Sequence, residues 1–426
     1  MTDADGPSDR GEADDARSPL RRRLAVLAIS TAVALLTLEL VIDRFVPILG
    51  QIYMLDGELL HDAQPLARRL QPMHKGWLRE GDVPRVLVEI GPDGFRGPAL
   101  ERPKARPRLL VIGDSFVMAE NVPHPNTFVV QLGEALDDLR GSGSSPAPPV
   151  EAVNAGRAGY GPGQILLLLQ RIVDDVRPDA LVCVLCAHND VGDLPRNKLF
   201  SLDESGRLVR RRPRLGMRVH DEFQGRVTRA SSPGLVRLWY YWQFADARRP
   251  VHELPDSTID LYLTGLEAQA NEFFVRGNDE VVTLFEDVYD ADLVLTPDAE
   301  MVRTKLALFT EILREIVGVA RERDVPLQFV VVPSAVDACP GFGIRVDPER
   351  YPDYSPDRLT ATIVGAVRAA GGAALDLTPA LQAEDGRNWV GGTDIHWNSG
   401  GQAVSAGAAA EALWAREDMR RALRAR

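Results

Sequence analysis

The feature that most constrains the fold is the Leu-Leu-Val-Ile run at residues 109–112, which ends abruptly at Gly113-Asp114-Ser115. A short, continuous apolar run is typical of a strand buried on both faces of a parallel sheet. Open α/β sheets bind their ligands at the carboxyl ends of such strands, which is where Ser115 falls. A serine at that position often only caps a helix, so residues elsewhere in the chain must decide its role.

Strand-like and helix-like segments alternate along the rest of the chain. Further strands are predicted at residues 150–154, 180–186, 327–332 and 374–377. Helices are predicted from apolar residues at helical spacing over residues 128–139, 162–176, 302–320, 359–370 and 401–415. This alternation predicts a doubly wound, flavodoxin-like α/β/α sandwich whose parallel sheet has about five strands.

Composition excludes some classes of protein. The net charge of −12 argues against a nucleic-acid partner, and 45% hydrophobic with 26% charged residues is ordinary for a globular chain. Three cysteines offer no disulfide framework. Cys183 and Cys186 lie three apart on a predicted strand, so they point to opposite faces and should neither pair nor share a metal. No metal or other cofactor is expected.

The amino-terminal region is typical of a membrane anchor. Residues 1–20 are acidic and aperiodic, which predicts a disordered tail. Three arginines at 21–23 precede nineteen mostly apolar residues, 24–42, just enough to cross a bilayer of ~30 Å. A single-pass signal anchor is therefore predicted over 21–45, with the tail in the cytoplasm and the remainder periplasmic or otherwise extracytoplasmic. Two alternatives stay open, a signal peptide cleaved after Ala34 and a buried helix of a soluble protein.

The remaining chain divides into a lead-in at 46–104, a core domain at 105–195 and 300–416, and an insertion at 196–299. The insertion follows the third core strand directly, so it is predicted to form a flap or side wall beside the cleft. Its arginines fit either a solvated hairpin or a site for an anionic glycan or lipid headgroup. They are Arg207, Arg210, Arg211, Arg212 and Arg214. A second apolar set has helical spacing and fits core packing or sugar stacking. It comprises Leu235, Leu238, Trp239 and Trp242.

Polar residues follow the ends of several predicted strands. Asn154-Ala-Gly-Arg-Ala-Gly159 follows the second, His188-Asn189-Asp190 the third, and Asp394-Ile-His396 comes after the fifth. Carboxyl ends of parallel strands converge at one sheet edge, so these residues are predicted to meet in one cleft. His188 fits either a substrate contact or a structural role, and a structural role is also expected for Asp114.

This set of residue types is suited to nucleophilic catalysis. A serine hydroxyl is a poor nucleophile until a base takes its proton, and His396 is the histidine close to an acid in a late loop. Asp394 can orient that imidazole and stabilise its cation. The backbone N–H groups of Ser115 and Gly159 and the side chain of Asn189 can form an oxyanion hole.

The order of these blocks resembles that of SGNH (GDSL-type) hydrolases. Those proteins place the nucleophile in a GDS block, an oxyanion glycine in an N-x-G-x-x-G-like block, an oxyanion asparagine in an N-D block, and a histidine with its acid near the carboxyl terminus. Ser115, Gly159, Asn189, Asp394 and His396 match in that order. The resemblance implies a serine esterase that removes O-acyl groups, commonly acetyl, from a cell-envelope carbohydrate or lipid.

One block departs from the common pattern. Asp394 lies two residues before His396 rather than three, and the D-x-H-W-N form resembles the alginate-acetylation branch, whose membrane-tethered members move acetyl groups on polysaccharides. Asp394 could instead cap a turn, with a backbone carbonyl orienting His396. Two further functions stay open, an exopolysaccharide O-acetyltransferase using the same residues with a membrane acyl-donor partner, and a non-catalytic envelope-binding protein.

Overall fold

The computed structural model of the chain describes a subset of its residues. The described ranges are 17–45, 53–55, 68–70, 72–73, 75–78, 86–141, 148–194, 199–210, 214–215, 280–281, 290, 292–340, 342, 352–382, 387–391 and 394–424.

The described chain contains both β-strands and α-helices. The strands are β1 Tyr53–Leu55, β2 Arg68–Leu70, β3 Lys75–Leu78, β4 Val86–Glu89, β5 Arg108–Ile112, β6 Glu151–Asn154, β7 Ala180–Cys186, β8 Phe200–Leu202, β9 Leu208–Arg210, β10 Arg214–Leu215, β11 Glu280–Val281, β12 Leu327–Val332, β13 Ala374–Asp376, β14 Trp389–Gly391 and β15 Asp394–Trp397. The α-helices are α1 Arg17–Phe45, α2 Ser115–Met118, α3 Phe128–Gly141, α4 Pro162–Val176, α5 Asp292–Leu295, α6 Glu300–Glu322, α7 Ala335–Ala338, α8 Arg358–Ala369, α9 Thr378–Gln382, α10 Ser399–Ala415 and α11 Glu417–Leu423.

The central sheet has five parallel strands in the order β13-β12-β7-β5-β6. This is the flavodoxin-like order that the alternating pattern predicts, with β5 between β6 and β7. Every residue of β5, β7 and β12 is buried, because helices cover both faces of these strands. The predicted doubly wound α/β fold is confirmed.

Two apolar clusters fill the two sides of the sheet. One cluster includes Leu110 and the helices α4, α6 and α8, and the other includes Leu109 with α3, α10 and α11. Adjacent residues of a strand point to opposite faces, which is why Leu109 and Leu110 belong to different clusters. Cys183 lies in the first cluster and Cys186 in the second, and both are free thiols. The prediction that they do not pair is confirmed.

Helix α1 is long and apolar enough to cross a membrane. Its candidate span, Arg21–Val41, has a mean hydropathy of 2.3, and none of that window is buried within the described chain. A buried core helix would be covered by the rest of the chain, so that alternative is wrong. A membrane span and a signal sequence near the amino terminus both have this length and composition. The predicted disordered tail lies almost wholly outside the described residues.

The lead-in packs against the carboxyl end of α2, the helix that begins at Ser115. Strands β3 and β4 form an antiparallel hairpin, and Val86, Val88 and Ile90 cluster with Leu70 and with Met118 at the end of α2. The lead-in therefore supports the helix that begins at Ser115, a contact that the sequence pattern did not suggest.

The described parts of the predicted insertion differ in character. Strands β8 and β9 form a hairpin on which Arg207 pairs with Asp203 at 3.3 Å, with 81% of the arginine side chain exposed. The other end of the insertion is not peripheral, because Leu293 and Val294 of α5 belong to the core. Arg211, Arg212 and the predicted Leu/Trp helix face lie outside the described residues.

Candidate active site

Ser115 begins α2 immediately beyond the carboxyl end of β5. Asp114 is the N-cap of this helix, and its Oδ1 accepts a hydrogen bond of 2.9 Å from the backbone N–H of Phe116. This contact is the structural role expected for Asp114, since it satisfies a donor at the helix start. Ser115 is partly exposed at the sheet edge, while the rest of α2 is buried.

His396 reaches Ser115 from the carboxyl-terminal part of the fold. It lies on β15, whose hairpin with β14 is defined here as the histidine hairpin. Its Nε2 is 2.8 Å from Ser115 Oγ, and its Nδ1 is 2.8 Å from Asp394 Oδ1. The three side chains thus form a continuous hydrogen-bonded line from hydroxyl to imidazole to carboxylate. Such a line is the arrangement needed to remove a proton from a serine.

The two-residue spacing of Asp394 is accommodated by a tight local contact. Asp394 Oδ1 accepts the His396 backbone N–H at 2.9 Å as well as facing the His396 ring nitrogen Nδ1. Asp394 therefore fits both interpretations of its position in the sequence. It accepts a hydrogen bond from the local backbone, as a turn cap would, and it also faces the imidazole. The imidazole has a carboxylate partner rather than only a backbone carbonyl.

Aromatic side chains hold the imidazole in place. The His396 ring lies 5.0 Å from the ring of Phe116, and Trp397 packs edge-on against Phe116 at 5.4 Å. Trp397 Nε1 also donates a hydrogen bond of 3.2 Å to the carbonyl oxygen of Phe116. Asn398 caps α10 by accepting from the N–H groups of Gly400 and Gly401. Trp397 and Asn398, the last two residues of the D-x-H-W-N block, thus position the histidine by packing and capping.

The glycine loop, residues 155–161, follows β6 and packs against α2. Asn154 Nδ2 donates to the carbonyl oxygen of Val117 at 2.8 Å, and Arg157 donates its N–H to Gly113 at 3.0 Å. A Cβ at Gly156 would lie 2.2 Å from the backbone nitrogen of Met118, so only glycine fits this approach. Gly159 has a φ of 74°, a left-handed conformation that favours glycine.

The asparagine loop, residues 187–192, follows β7 on the other side of β5. Asn189 is 6% exposed, and His188 is 4% exposed. His188 Nδ1 is 3.0 Å from the hydroxyl oxygen of Ser334, the N-cap of α7 beyond β12. This buried link between two strand ends favours the structural interpretation of His188. Asp190 Oδ2 accepts the Cys186 N–H at 2.7 Å, and burial raises the pKa of the Asp190 carboxyl well above its usual value.

The sheet order brings the predicted site residues to one edge. Gly159 and Asn189 follow the strands on either side of the one that ends at Ser115, and His396 contacts Ser115 directly. Strand ends of a parallel sheet converge here, as the sequence predicts. Their catalytic roles remain predictions.

Two charged residues near the serine were not identified from the sequence. Arg96 is buried in the lead-in and donates to the carbonyl oxygens of Met118, Ala119 and Val122, and burial lowers the pKa of its guanidinium to about 10. Burial raises the pKa of the Glu120 carboxyl to about 7, and a smaller attraction to His396 opposes this shift. The one sequence feature that pointed to these two residues was their position. Glu120 lies five residues after Ser115, and Arg96 lies on the turn after β4.

Among the described residues, no three histidine, cysteine or acidic side chains are grouped so that they could hold a metal ion.

Comparisons with known proteins give matches in fold alone. No family model matches the chain, and no curated protein matches it by sequence. An acetyl xylan esterase, AlAXEase, is 11% identical with a TM-score of 0.34, over 72% of this chain and 98% of the other. A lipase/acylhydrolase from Enterococcus faecalis is 12% identical with a TM-score of 0.34, over 73% and 96%. LAE5, an alpha/beta hydrolase enzyme from the metagenome of Lake Arreo, Spain, is 13% identical with a TM-score of 0.34, over 72% and 96%.

At this identity and TM-score the likeness carries no argument about the activity of this chain, which is argued from its own geometry. A flavodoxin-like sheet carries a serine, a histidine and an acid in hydrogen-bonded line at its carboxyl edge. A glycine loop and an asparagine loop flank them. This fold and this arrangement of side chains are the ones expected from the resemblance of the sequence blocks to SGNH-type hydrolases.

Proposed function

We propose that the chain is a membrane-anchored, extracytoplasmic serine esterase that removes O-acyl groups, acetyl in the simplest case, from a cell-envelope carbohydrate or lipid. Ser115 is the nucleophile, His396 the general base and acid, and Asp394 the group that orients the imidazole. The observation that carries the proposal is the pair of 2.8 Å contacts made by the two ring nitrogens of His396. A protein that only bound the envelope would have no need of this alignment.

Acylation uses both ring nitrogens of His396. Ser115 Oγ attacks the ester carbonyl carbon while its proton passes to His396 Nε2, and Asp394 stabilises the resulting imidazolium through Nδ1. The carbonyl oxygen becomes negatively charged, and the N–H groups of Ser115 and Gly159 with the amide of Asn189 stabilise it. The carbon–oxygen bond to the alcohol then breaks, and His396 returns the proton to the departing oxygen. The product is an acyl ester on Ser115.

Deacylation repeats these steps with a second nucleophile. A water molecule gives its proton to His396 Nε2 as its oxygen attacks the acyl carbon. The bond to Ser115 Oγ breaks, the serine regains the proton, and a carboxylic acid leaves. The same oxyanion donors serve both halves of the reaction, because both pass through a tetrahedral intermediate.

The location rests on α1. Its span Arg21–Val41 is exposed along its whole apolar length, and the arginines at its amino end favour a cytoplasmic amino terminus. An apolar helix left uncovered by its own chain is stabilised in a bilayer, where its backbone groups are paired internally. The esterase part then faces the cell envelope and its acylated polymers.

The test is hydrolysis by the full chain in detergent. Acetate release from p-nitrophenyl acetate and from O-acetylated glycans should be lost in Ser115→Ala. The exposed Ser205 provides a matched control, so Ser205→Ala should keep wild-type rates. A fluorophosphonate should label the wild type and Ser205→Ala but not Ser115→Ala. Full activity in folded Ser115→Ala would refute Ser115 as the nucleophile, and absence of hydrolysis by the wild type would leave the binding-protein alternative.

A second candidate is O-acetyl transfer to an exopolysaccharide. The observation that favours it is the D-x-H-W-N block, which resembles the alginate-acetylation branch. A sugar hydroxyl would replace water in deacylation, and a membrane partner would supply the acyl group. Mass spectrometry of an oligosaccharide mixed with the acyl donor separates the two, since transfer adds 42 Da per acetyl to the oligosaccharide whereas hydrolysis releases acetate.

A further inference from the structure

The asparagine loop is buried, and its backbone therefore needs partners inside the protein. All of residues 187–192 are buried. The N–H of Ala187 bonds to the carbonyl oxygen of Val332 at 2.9 Å, which continues the sheet, but the chain then leaves the strand. Buried N–H groups outside a sheet or helix are costly unless another group accepts them.

Asp290 supplies those partners from a distant part of the chain. Its Oδ2 accepts the N–H of Val191 at 3.0 Å and the N–H of Gly192 at 2.9 Å. Its own N–H donates to the carbonyl oxygen of His188 at 2.7 Å. One residue thus bonds the loop on both sides of Asn189, at positions 188, 191 and 192.

A buried lysine on α6 holds Asp290 in turn. Lys305 Nζ lies 3.3 Å from Asp290 Oδ1 and 2.6 Å from Asp292 Oδ1. Asp290 is 0% exposed and Lys305 is 1% exposed, so the charges are removed from water and compensate each other. The two oxygens of Asp290 have separate partners, Oδ1 the helix and Oδ2 the loop.

We propose that Asp290 is a positioning residue that holds the Asn189 amide where the oxyanion forms, and that Lys305 anchors it to α6. The proposal rests on the function proposed above, in which Asn189 is an oxyanion donor. Because Asp290 bonds the backbone on both sides of Asn189, the backbone at Asn189 has little freedom to move and its side chain keeps one orientation. Asp290 lies near the carboxyl end of the predicted insertion, 98 residues after Gly192, so this end of the insertion holds the loop.

Asp292 is a matched control within the same ion cluster. It is 3% exposed and shares Lys305 with Asp290, but its Oδ1 accepts only the N–H of its neighbour Leu293 among backbone groups of the described chain. Asp292→Asn weakens the same ion cluster without touching the asparagine loop. A merely structural role for the cluster would make the two aspartates equivalent in kinetics.

The first measurement compares kcat and KM for ester hydrolysis by the full chain. Asp290→Ala should lower kcat about 10- to 10²-fold, as expected for a misplaced catalytic group, with KM changed less than about threefold. Asp290→Asn, whose amide oxygen can still accept the two N–H groups, should recover part of this loss. Asp292→Asn should keep kcat near the wild-type value. Equal losses in Asp290→Asn and Asp292→Asn would overturn the proposal.

The second measurement asks whether Asp290 acts through Asn189. In the Asn189→Ala background, Asp290→Ala should lower kcat by less than about threefold, because the group it positions is already absent. An undiminished loss in that background would contradict the proposal.

The third measurement does not depend on activity. Hydrogen exchange of the peptide spanning 187–194 should be faster in Asp290→Asn than in Asp292→Asn, while peptides of β5 and β12 stay protected in both. Equal exchange of this peptide in the two variants would overturn the proposal even if both variants are stable. If the wild type hydrolyses no ester, the proposed function fails, and this exchange experiment still decides whether Asp290 holds the loop.

Discussion

Asn121 Nδ2 donates a hydrogen bond of 2.7 Å to the carbonyl oxygen of Trp397, across 276 residues of sequence. Asn121 follows the helix of Ser115, and Trp397 follows His396, so this bond ties the nucleophile segment to the base segment. Trp397 Nε1 returns a bond to the carbonyl oxygen of Phe116. These two hydrogen bonds therefore help to set the distance between Ser115 and His396, in addition to the direct contact between the two side chains.

Asn121→Ala should weaken catalysis without removing a reacting group. The Trp397 carbonyl loses its partner in a buried place, so the free energy of unfolding should fall by about 1–3 kcal/mol. The imidazole should then drift from Ser115, and kcat should fall about tenfold or more, because small displacements near a reacting centre are costly. Urea unfolding and ester kinetics measure both quantities. Exposed Asn126 is the control, and equal effects of Asn126→Ala would refute this role.

Ser115→Ala and His396→Ala should be inactivated to a similar degree. Losing either member of such a pair leaves roughly 10³–10⁴-fold acceleration from binding and the oxyanion hole. The double variant should therefore be little worse than either single variant. Steady-state rates of folded proteins test this, and losses that multiply in the double variant would show that the two residues act independently.

Asn189→Ala should be milder than loss of the nucleophile. An oxyanion donor contributes about 10²–10³-fold to turnover, so kcat should fall by that factor while KM changes little. Asn189→Asp should be at least as impaired, since a carboxylate would repel the oxyanion. The kinetics of both variants check this, and a loss in kcat smaller than threefold in Asn189→Ala would remove Asn189 from the oxyanion hole.

The buried carboxyl of Glu120 should make the free energy of unfolding depend on pH. Burial raises the pKa of its carboxyl from 4.5 to about 7, so the folded protein keeps a proton that the unfolded chain releases in that window. Its contribution is complete below pH 4.5 and is lost as pH rises through about 7. The whole shift corresponds to at most about 3 kcal/mol, and partial exposure of the residue reduces this.

Glu120→Gln removes that titration. The free energy of unfolding should fall less between about pH 5 and pH 8 in this variant than in the wild type, as urea titrations at both values can measure. Exposed Glu134 on α3 is the control, because Glu134→Gln should keep the wild-type pH dependence. A Glu120→Gln protein with an unchanged slope would show that the carboxyl is not kept protonated by its surroundings.

Fusion of a reporter after Pro47 tests the topology. A reporter that is active only outside the cytoplasm should give signal, because arginines at 21–23 favour a cytoplasmic amino terminus. Replacing these three arginines by asparagine should lower the exported fraction. Activity of a cytoplasmic reporter at the same junction would refute export, and a soluble product shortened past Ala34 would identify a cleaved signal.

Local patterns in the sequence sufficed for the strands and for the first site residue. Continuous apolar runs predicted β5, β7 and β12 because a strand buried on both faces has no polar side to alternate with. The abrupt end of the first of these runs placed Ser115 at a strand end. The predicted cluster of Gly159, Asn189 and His396 followed from the convergence of parallel strand ends. All of these inferences use neighbours within a few residues plus one rule of topology.

Contacts between distant segments could not be predicted in this way. Nothing in the local sequence relates Asp290 to Val191, 99 residues earlier, or Asn121 to Trp397. The insertion predicted over 196–299 includes Leu293 and Val294, which belong to the core, and a short apolar turn has no period that would indicate such burial. Arg96 was missed because a lone arginine is normally solvated, and only packing shows that it is buried.

The sequence by itself determined the five strands and the long helices of the core, the flavodoxin-like class of the sheet and which residue types reach its carboxyl edge, because these depend on short-range periodicity and on the handedness of parallel connections. Only the tertiary structure decided the orientation of each side chain at that edge. Asp394 faces His396 despite its unusual spacing because the backbone of the histidine hairpin folds the carboxylate back onto the imidazole. The contact of His396 with Ser115, 281 residues away, exists only once distant segments have packed together, because a hydrogen bond forms only within about 3 Å.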